Sequence, residues 1–236
     1  MSIFVGGSKY LHDKKIEYTN WGWFLLFSLF LGLILVWVDM AIVHFSFIPS
    51  LFCIAVLLSL FAVVKKYIDT SLPMAYRYRN GAHGEEVVKK ILNELPDEYT
   101  VIADVRVPST RNNVDFVVIG PTGIFVLEVK NVRGEVTVEE EKILENGRLL
   151  QHHDVLEQVR KEYWGVHGLL EKKIGNGFFV VPILVFANNK VHMHLPSKIR
   201  EIHMVHCSDV VGFITSEKNT EIMNTELIIA ALRSGC

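Results

Sequence analysis

Hydrophobic and polar positions along the chain alternate in blocks whose period names the element each block forms. Residues 114–119 and 124–131 are near-continuously apolar and are joined at Gly120-Pro121-Thr122-Gly123, where Pro suits the second turn position and Gly the fourth. They predict a central hairpin covered on both faces. Before it, Val87, Val88, Ile91, Leu92 and Leu95 have the spacing of one buried helix face, which predicts a helix over 82–95, and residues 99–107 predict a strand followed by a polar loop over 108–113. After it, residues 135–150 alternate weakly and contain Asn146-Gly147, a peripheral β-ribbon. Val155, Leu156, Val159, Val166, Leu169 and Leu170 predict a helix over 152–170, and residues 178–187 a fourth core strand. Residues 202–206 predict a fifth strand, and 209–213 and 221–233 terminal helices. The fold class is therefore α/β (α+β): a mixed central sheet flanked by helices.

Three charges interrupt the hairpin: Asp115, Glu128 and Lys130. Side chains alternate along a strand, so Glu128 and Lys130 share one face while Phe125, Leu127 and Val129 occupy the other. A symmetric two- or four-residue turn sets Asp115 directly across from Glu128, with Cβ atoms about 5 Å apart. Two facing carboxylates repel unless a cation lies between them. A three-residue turn with Gly123 as a bulge shifts the register by one, and Asp115 then reaches the site only through local twist. These charges are an ordinary polar face, a structural Asp115–Lys130 pair, or a working site; buried charge without a task is costly. On the first helix Glu85 lies in line with Val88 and Leu92, toward the core, whereas Glu86 points outward toward Lys90. Glu85 also suits a first-turn acid favoured by the helix dipole. Gln158 stands at the edge of the second helix's stripe, as a group reaching the sheet or as a solvated residue.

Composition changes the picture near the N-terminus. Half the residues are hydrophobic and mean hydropathy is +0.29. The excess lies in two uncharged runs, 21–38 and 45–64, each about the length of a spanning helix. Lys9, Lys14 and Lys15 before the first run and Lys65, Lys66, Arg77 and Arg79 after the second place both ends in the cytoplasm by the positive-inside rule. The expected organisation is a cytosolic tail over 1–20, a transmembrane hairpin over 21–64, a linker over 65–80 and a cytosolic domain over 81–236, with the membrane as one partner. Uncharged spans offer no polar path, which disfavours a transporter. Net charge is −2, so no strong basic surface advertises nucleic acid. Cys53, Cys207 and Cys236 form neither a disulfide framework nor a zinc spacing. His192, His194, His203 and His206, with His152 and His153, match no metal motif.

Asp115, a short apolar hairpin, and then Glu128-Val129-Lys130 resembles the PD-(D/E)XK nuclease signature in the form D followed by E-x-K. The G-A-H-G-E-E at residues 81–86, the G-P-x-G turn, and E-V-K-N followed by Gly134 resemble more narrowly the nuclease-related domain, NERD, over roughly residues 81–170. Phe116, Val132 and Val155 depart from that family's pattern, at positions where His, Trp and Pro are frequent. The resemblance implies a restriction-endonuclease-like αβββαβ core, the order that the periodicity also predicts. It further implies metal-dependent phosphodiester hydrolysis of DNA or RNA. In that reading Asp115 and Glu128, with the Val129 carbonyl and Glu85, hold Mg²⁺ or Mn²⁺. Lys130 orients water or stabilises phosphoryl charge, and Gln158 positions the phosphate or Lys130. The competing expectation is a nuclease-fold module without chemistry, serving as a nucleic-acid-binding or scaffold protein; the near-neutral charge and the departures favour it.

Overall fold

The computed structural model describes residues 3–5, 47–107, 113–150, 154–176, 178–216 and 225–233, with helical positions between 23 and 41. The chain divides into two compact units, residues 9–80 and residues 1–8 with 81–236. Helix α1 (Phe47–Lys66) of the first unit passes through a π-helical turn, Tyr67–Ser71, into α2 (Leu72–Leu92), whose residues from Gly81 onward belong to the second unit. Pro73 follows close on the π-helical turn and the helix continues through it.

The expected transmembrane hairpin, and with it a membrane localisation with both termini cytoplasmic, is corrected by the structure: among the described residues no helix is long and apolar enough to cross a membrane. A span needs about 20 consecutive apolar helical residues. Lys9, Lys14 and Lys15, on which the topology leaned, lie outside the described residues.

The second unit is built on a seven-stranded mixed sheet. Its strands are β1 (Ile3–Val5), β2 (Thr100–Val105), β3 (Val114–Gly120), β4 (Gly123–Lys130), β8 (Val180–Phe186), β11 (Ile202–His206) and β10 (Lys198–Ile199), in that spatial order. The tail residues Ile3–Val5, not expected in the sheet, pair parallel with β2. β2, β3 and β4 form an antiparallel meander, whereas β4–β8 and β8–β11 are parallel and require crossovers. The first crossover carries β5 (Gly134–Glu139), β6 (Lys142–Glu145), β7 (Arg148–Leu149) and helix α3 (Val155–Ile174). The ribbon is completed by β9 (Val191–His194), parallel to β5, and turns at Asn146-Gly147, both with positive φ.

Both sheet faces are covered, which is why β4 and β8 are buried along their whole length. On one face Val88 and Leu92 of α2 and Val210 and Ile214 of α4 (Val210–Ser216) pack on Phe116, Phe125, Leu127 and Ile183. On the other, Val166 and Leu170 of α3 and Ile228 and Leu232 of α5 (Thr225–Arg233) pack on Val117, Ile119, Ile124 and Val126. Helix α3 starts at Val155 rather than at His152 because Asp154 caps it, its carboxylate accepting from Leu156 N at 3.0 Å and Glu157 N at 3.3 Å. His152 and His153 lie outside the described residues. The mixed sheet flanked by helices fits a nuclease-like fold.

Candidate functional site

The β3–β4 ladder resolves the register left open by the sequence. Gly120 pairs with Gly123 and Phe116 with Leu127, so the loop is the two residues Pro121 and Thr122. Continued one step, that register sets Asp115 beside Glu128. There the regular pairing stops, and Val129 N–H donates to Asp115 Oδ2 at 2.8 Å in place of a strand partner. The β2–β3 ladder skips the same level: Ala103 pairs with Phe116 and Val105 with Val114, while Asp104 takes φ +59°, rare for a residue with a Cβ. Asn113 Nδ2 donates to Asp104 Oδ1 at 2.7 Å. The sheet thus opens locally where its acids gather.

Glu128 and Lys130 share the sheet face that α3 covers, and both are buried. Lys130 Nζ donates to Glu128 Oε1 at 2.6 Å and to Gln158 Oε1 at 3.2 Å. Gln158 Nε2 donates to Glu128 Oε1 at 2.8 Å and to Glu162 Oε1 at 2.9 Å. Lysine, glutamate and glutamine therefore close a three-membered ring. Glu128 Oε2 and Glu162 Oε2 are buried without a hydrogen-bond partner.

Glu85 arrives from α2 on the opposite side of the sheet, at the carboxyl end of β4. Its approach depends on Gly84, where an added Cβ would lie 2.7 Å from Asn131 Cβ and 3.4 Å from Ala187 Cβ. Burial, then the charges of Glu128 and Asp104, push the Glu85 carboxyl from 4.5 up to about 7. Asp115 is raised well above the usual aspartate range by burial and by Glu128 and Glu85, with the Val129 hydrogen bond opposing. Glu162 is pushed up to about 9, by burial first and by Glu128 second. Burial pulls Lys130 down, but the charge and hydrogen bond of Glu128 outweigh it, and the ammonium is raised above its ordinary value.

The structure accordingly joins Glu128, Lys130 and Gln158 by direct hydrogen bonds, brings Asp115 to the same level of the sheet through Val129 N, and sets Glu85 within electrostatic reach of Glu128. The Val129 side chain packs on the other face with Leu127 and Phe125. Two residues escaped the sequence reading. Asp104 is a lone charge in the apolar run Thr100–Val105, and Glu162 occupies a buried-stripe position of α3 between Val159 and Val166. Both signals were visible as charges at apolar positions. A surface depression lined by Val191, Met193, Met204, His206 and Phe213 shares none of these residues.

Residues 80–187 match the nuclease-related domain family, NERD. The matched segment begins just before Gly84 and ends at the close of β8, so it contains every member of the hydrogen-bonded ring. An uncharacterized protein of Bacillus anthracis is 37% identical over 89 residues, which cover 36% of this chain and 38% of that relative's length. No solved structure matches the chain.

Among the described residues no group of three or more His, Cys, Asp or Glu side chains is arranged to hold a metal ion. The donor chemistry nevertheless suits a hard cation held by two carboxylates and water, the usual mode for Mg²⁺. Asp115 and Glu128 lie at one level, and Glu128 Oε2 has no other partner.

Proposed function

We propose that the unit containing residues 81–236 is a metal-dependent nuclease that hydrolyses phosphodiester bonds of DNA or RNA. One observation supports this above the others: within the NERD-matching segment a buried lysine is bonded to the glutamate two residues before it, with an aspartate at the same level of the neighbouring strand. Asp115 and Glu128 would hold Mg²⁺ or Mn²⁺, with the Val129 carbonyl and Glu85 as further oxygen donors. When bound, the cation supplies positive charge against the phosphate and acidifies a water.

The chain's own part follows from the ring. Lys130 is a fixed cation at neutral pH, so it donates hydrogen bonds rather than removing protons. Aimed by Glu128 Oε1 and Gln158 Oε1, its ammonium can orient the attacking water or stabilise charge on a phosphoryl oxygen. Gln158, neutral and held by the side chains of Glu128 and Glu162, keeps that ammonium from rotating away.

The test is cleavage of labelled single- and double-stranded DNA and RNA by the full chain with Mg²⁺ or Mn²⁺. Metal-dependent cleavage that disappears in Asp115→Asn and Lys130→Met is the expected result. A wild-type chain that neither cuts nor gains stability from either ion leaves the second reading, a nuclease-fold module that binds nucleic acid or serves as a scaffold. That reading is favoured by one observation, the engagement of Glu128 Oε1 by both Lys130 and Gln158.

A further inference from the structure

Glu162 lies outside the D…E-x-K pattern and has no place in the mechanism above, yet it is 1% exposed and bonded to the ring. A carboxyl on the buried stripe of a helix, among Val159, Val166 and Leu170, needs a reason for being there. The geometry supplies one. Gln158 has two amide hydrogens and one amide oxygen facing the sheet, and all three are used: one hydrogen for Glu128, the other for Glu162, the oxygen for Lys130. Glu128 and Lys130 decide which way the amide faces. They do not decide how far the side chain reaches, because both bonds lie on the strand side. The bond to Glu162, one helical turn along α3, holds the amide from the helix side.

We propose that Glu162 is a positioning residue, which acts through Gln158 to hold the Lys130 ammonium against the reacting phosphate. This rests on the nuclease reading for its consequence, although its geometry does not. Without an acceptor at 162 one amide hydrogen of Gln158 is left unpaired in a buried site, and the side chain relieves that by turning toward solvent or toward Glu128. Lys130 then keeps Glu128 and loses the Gln158 oxygen. Glu162 meets the ring at the Gln158 amide, 2.9 Å away, and also faces Glu128.

Four full-length variants test it: Glu162→Gln, which keeps an acceptor oxygen; Glu162→Leu, which fills the space without one; Gln158→Leu; and the double variant of the last two. In cleavage assays Glu162→Leu should lower kcat by about 10–100-fold, the usual cost of losing an outer-shell partner, with KM little changed. Glu162→Gln should restore most of the rate. Adding Gln158→Leu to Glu162→Leu should cost nothing more, because both act on one amide. Equal cleavage by Glu162→Leu and wild type, a Glu162→Gln variant as slow as Glu162→Leu, or additive losses would overturn the proposal.

The second measurement needs no activity and separates this failure from failure of the nuclease reading. The two side-chain amide protons of ¹⁵N-labelled Gln158 should be protected from solvent exchange in wild type and in Glu162→Gln. In Glu162→Leu that protection should be lost while backbone protection in β4 persists. Unprotected Gln158 amide protons in wild type, or unchanged protection in Glu162→Leu, would overturn the proposal whether or not the chain cuts nucleic acid.

Discussion

Lys130 and Asp115 answer to the same electrostatics with opposite signs. Burial works against both charges, but Lys130 has Glu128 at 2.6 Å, whereas Asp115 faces the charges of Glu128 and Glu85. Removing one acid should therefore relieve strain, and removing the cation should create it. Asp115→Asn is expected to leave the metal-free protein as stable as wild type or more so. It should also abolish the rise in melting temperature that Mg²⁺ or Mn²⁺ gives wild type by binding only the folded state. Lys130→Met behaves differently, because it leaves Glu128 buried without its counter-ion, a loss of about 3–5 kcal/mol when one partner of a buried pair is removed. Melting followed with and without Mn²⁺ should show Lys130→Met well below wild type in the absence of metal, and regaining more on metal addition than wild type gains. A metal response that survives in Asp115→Asn would remove Asp115 from the donor set.

At the scale of elements, the site exists because α2 can come close to the ends of β4 and β8. Gly84→Ala tests this directly. Alanine is the better helix former by about 1 kcal/mol. The added methyl would stand 2.7 Å from Asn131 Cβ, so helix or strand end must move. Such overpacking costs about 1–3 kcal/mol, enough to cancel the propensity gain or exceed it. The expected outcome is a melting temperature no higher than wild type, together with a weaker metal response because Glu85 is displaced. A more stable Gly84→Ala with an unchanged metal response would mean that the close approach does not matter. The same elements show what was legible in the chain. Strands β3, β4 and β8 announce themselves as apolar runs between turn residues, since strands covered on both faces leave no polar alternation to confuse. The Asn146-Gly147 turn was equally plain from its φ requirement. Ile3–Val5 was not, because three residues added to a sheet edge carry no period of their own. The membrane spans were read from apolar length alone, and no helix among the described residues has that length and composition together. Asp104 and Glu162 belong to no motif, and their signal is a charge at an apolar-strand or buried-stripe position.

For the molecule as a whole, the gathered acids should govern how stability depends on pH. In the folded protein Glu85 is raised from 4.5 to about 7 and Glu162 from 4.5 to about 9, in both cases chiefly by burial, and Asp115 moves in the same direction. A carboxyl whose folded value is raised binds its proton more tightly in the native state, so folding takes up protons at pH values above 4.5. Stability then falls as pH rises, by about 1.4 kcal/mol per pH unit for each fully linked proton. The decline should begin near pH 5, involve Glu85 and Glu162 together up to about pH 7, and continue through Glu162 alone to about pH 9. This is the reverse of the behaviour expected from carboxylates in favourable ion pairs, which lose stability in acid. Denaturant unfolding of the full chain in the presence of a chelator at pH 5, 7 and 9 measures it. Glu162→Gln removes the titrating group while keeping an amide oxygen for Gln158, and should flatten the curve between pH 7 and 9 and make the decline between pH 5 and 7 shallower. Added Mn²⁺ competes with protons for Asp115, so its stabilising effect should grow with pH over the same range. A wild-type stability that is constant or rising from pH 5 to pH 9 would mean that these carboxyls are already ionised in the folded protein. The crowding of acids around Glu128 would then be electrostatically unimportant, and with it would go the expectation that a cation stabilises this fold.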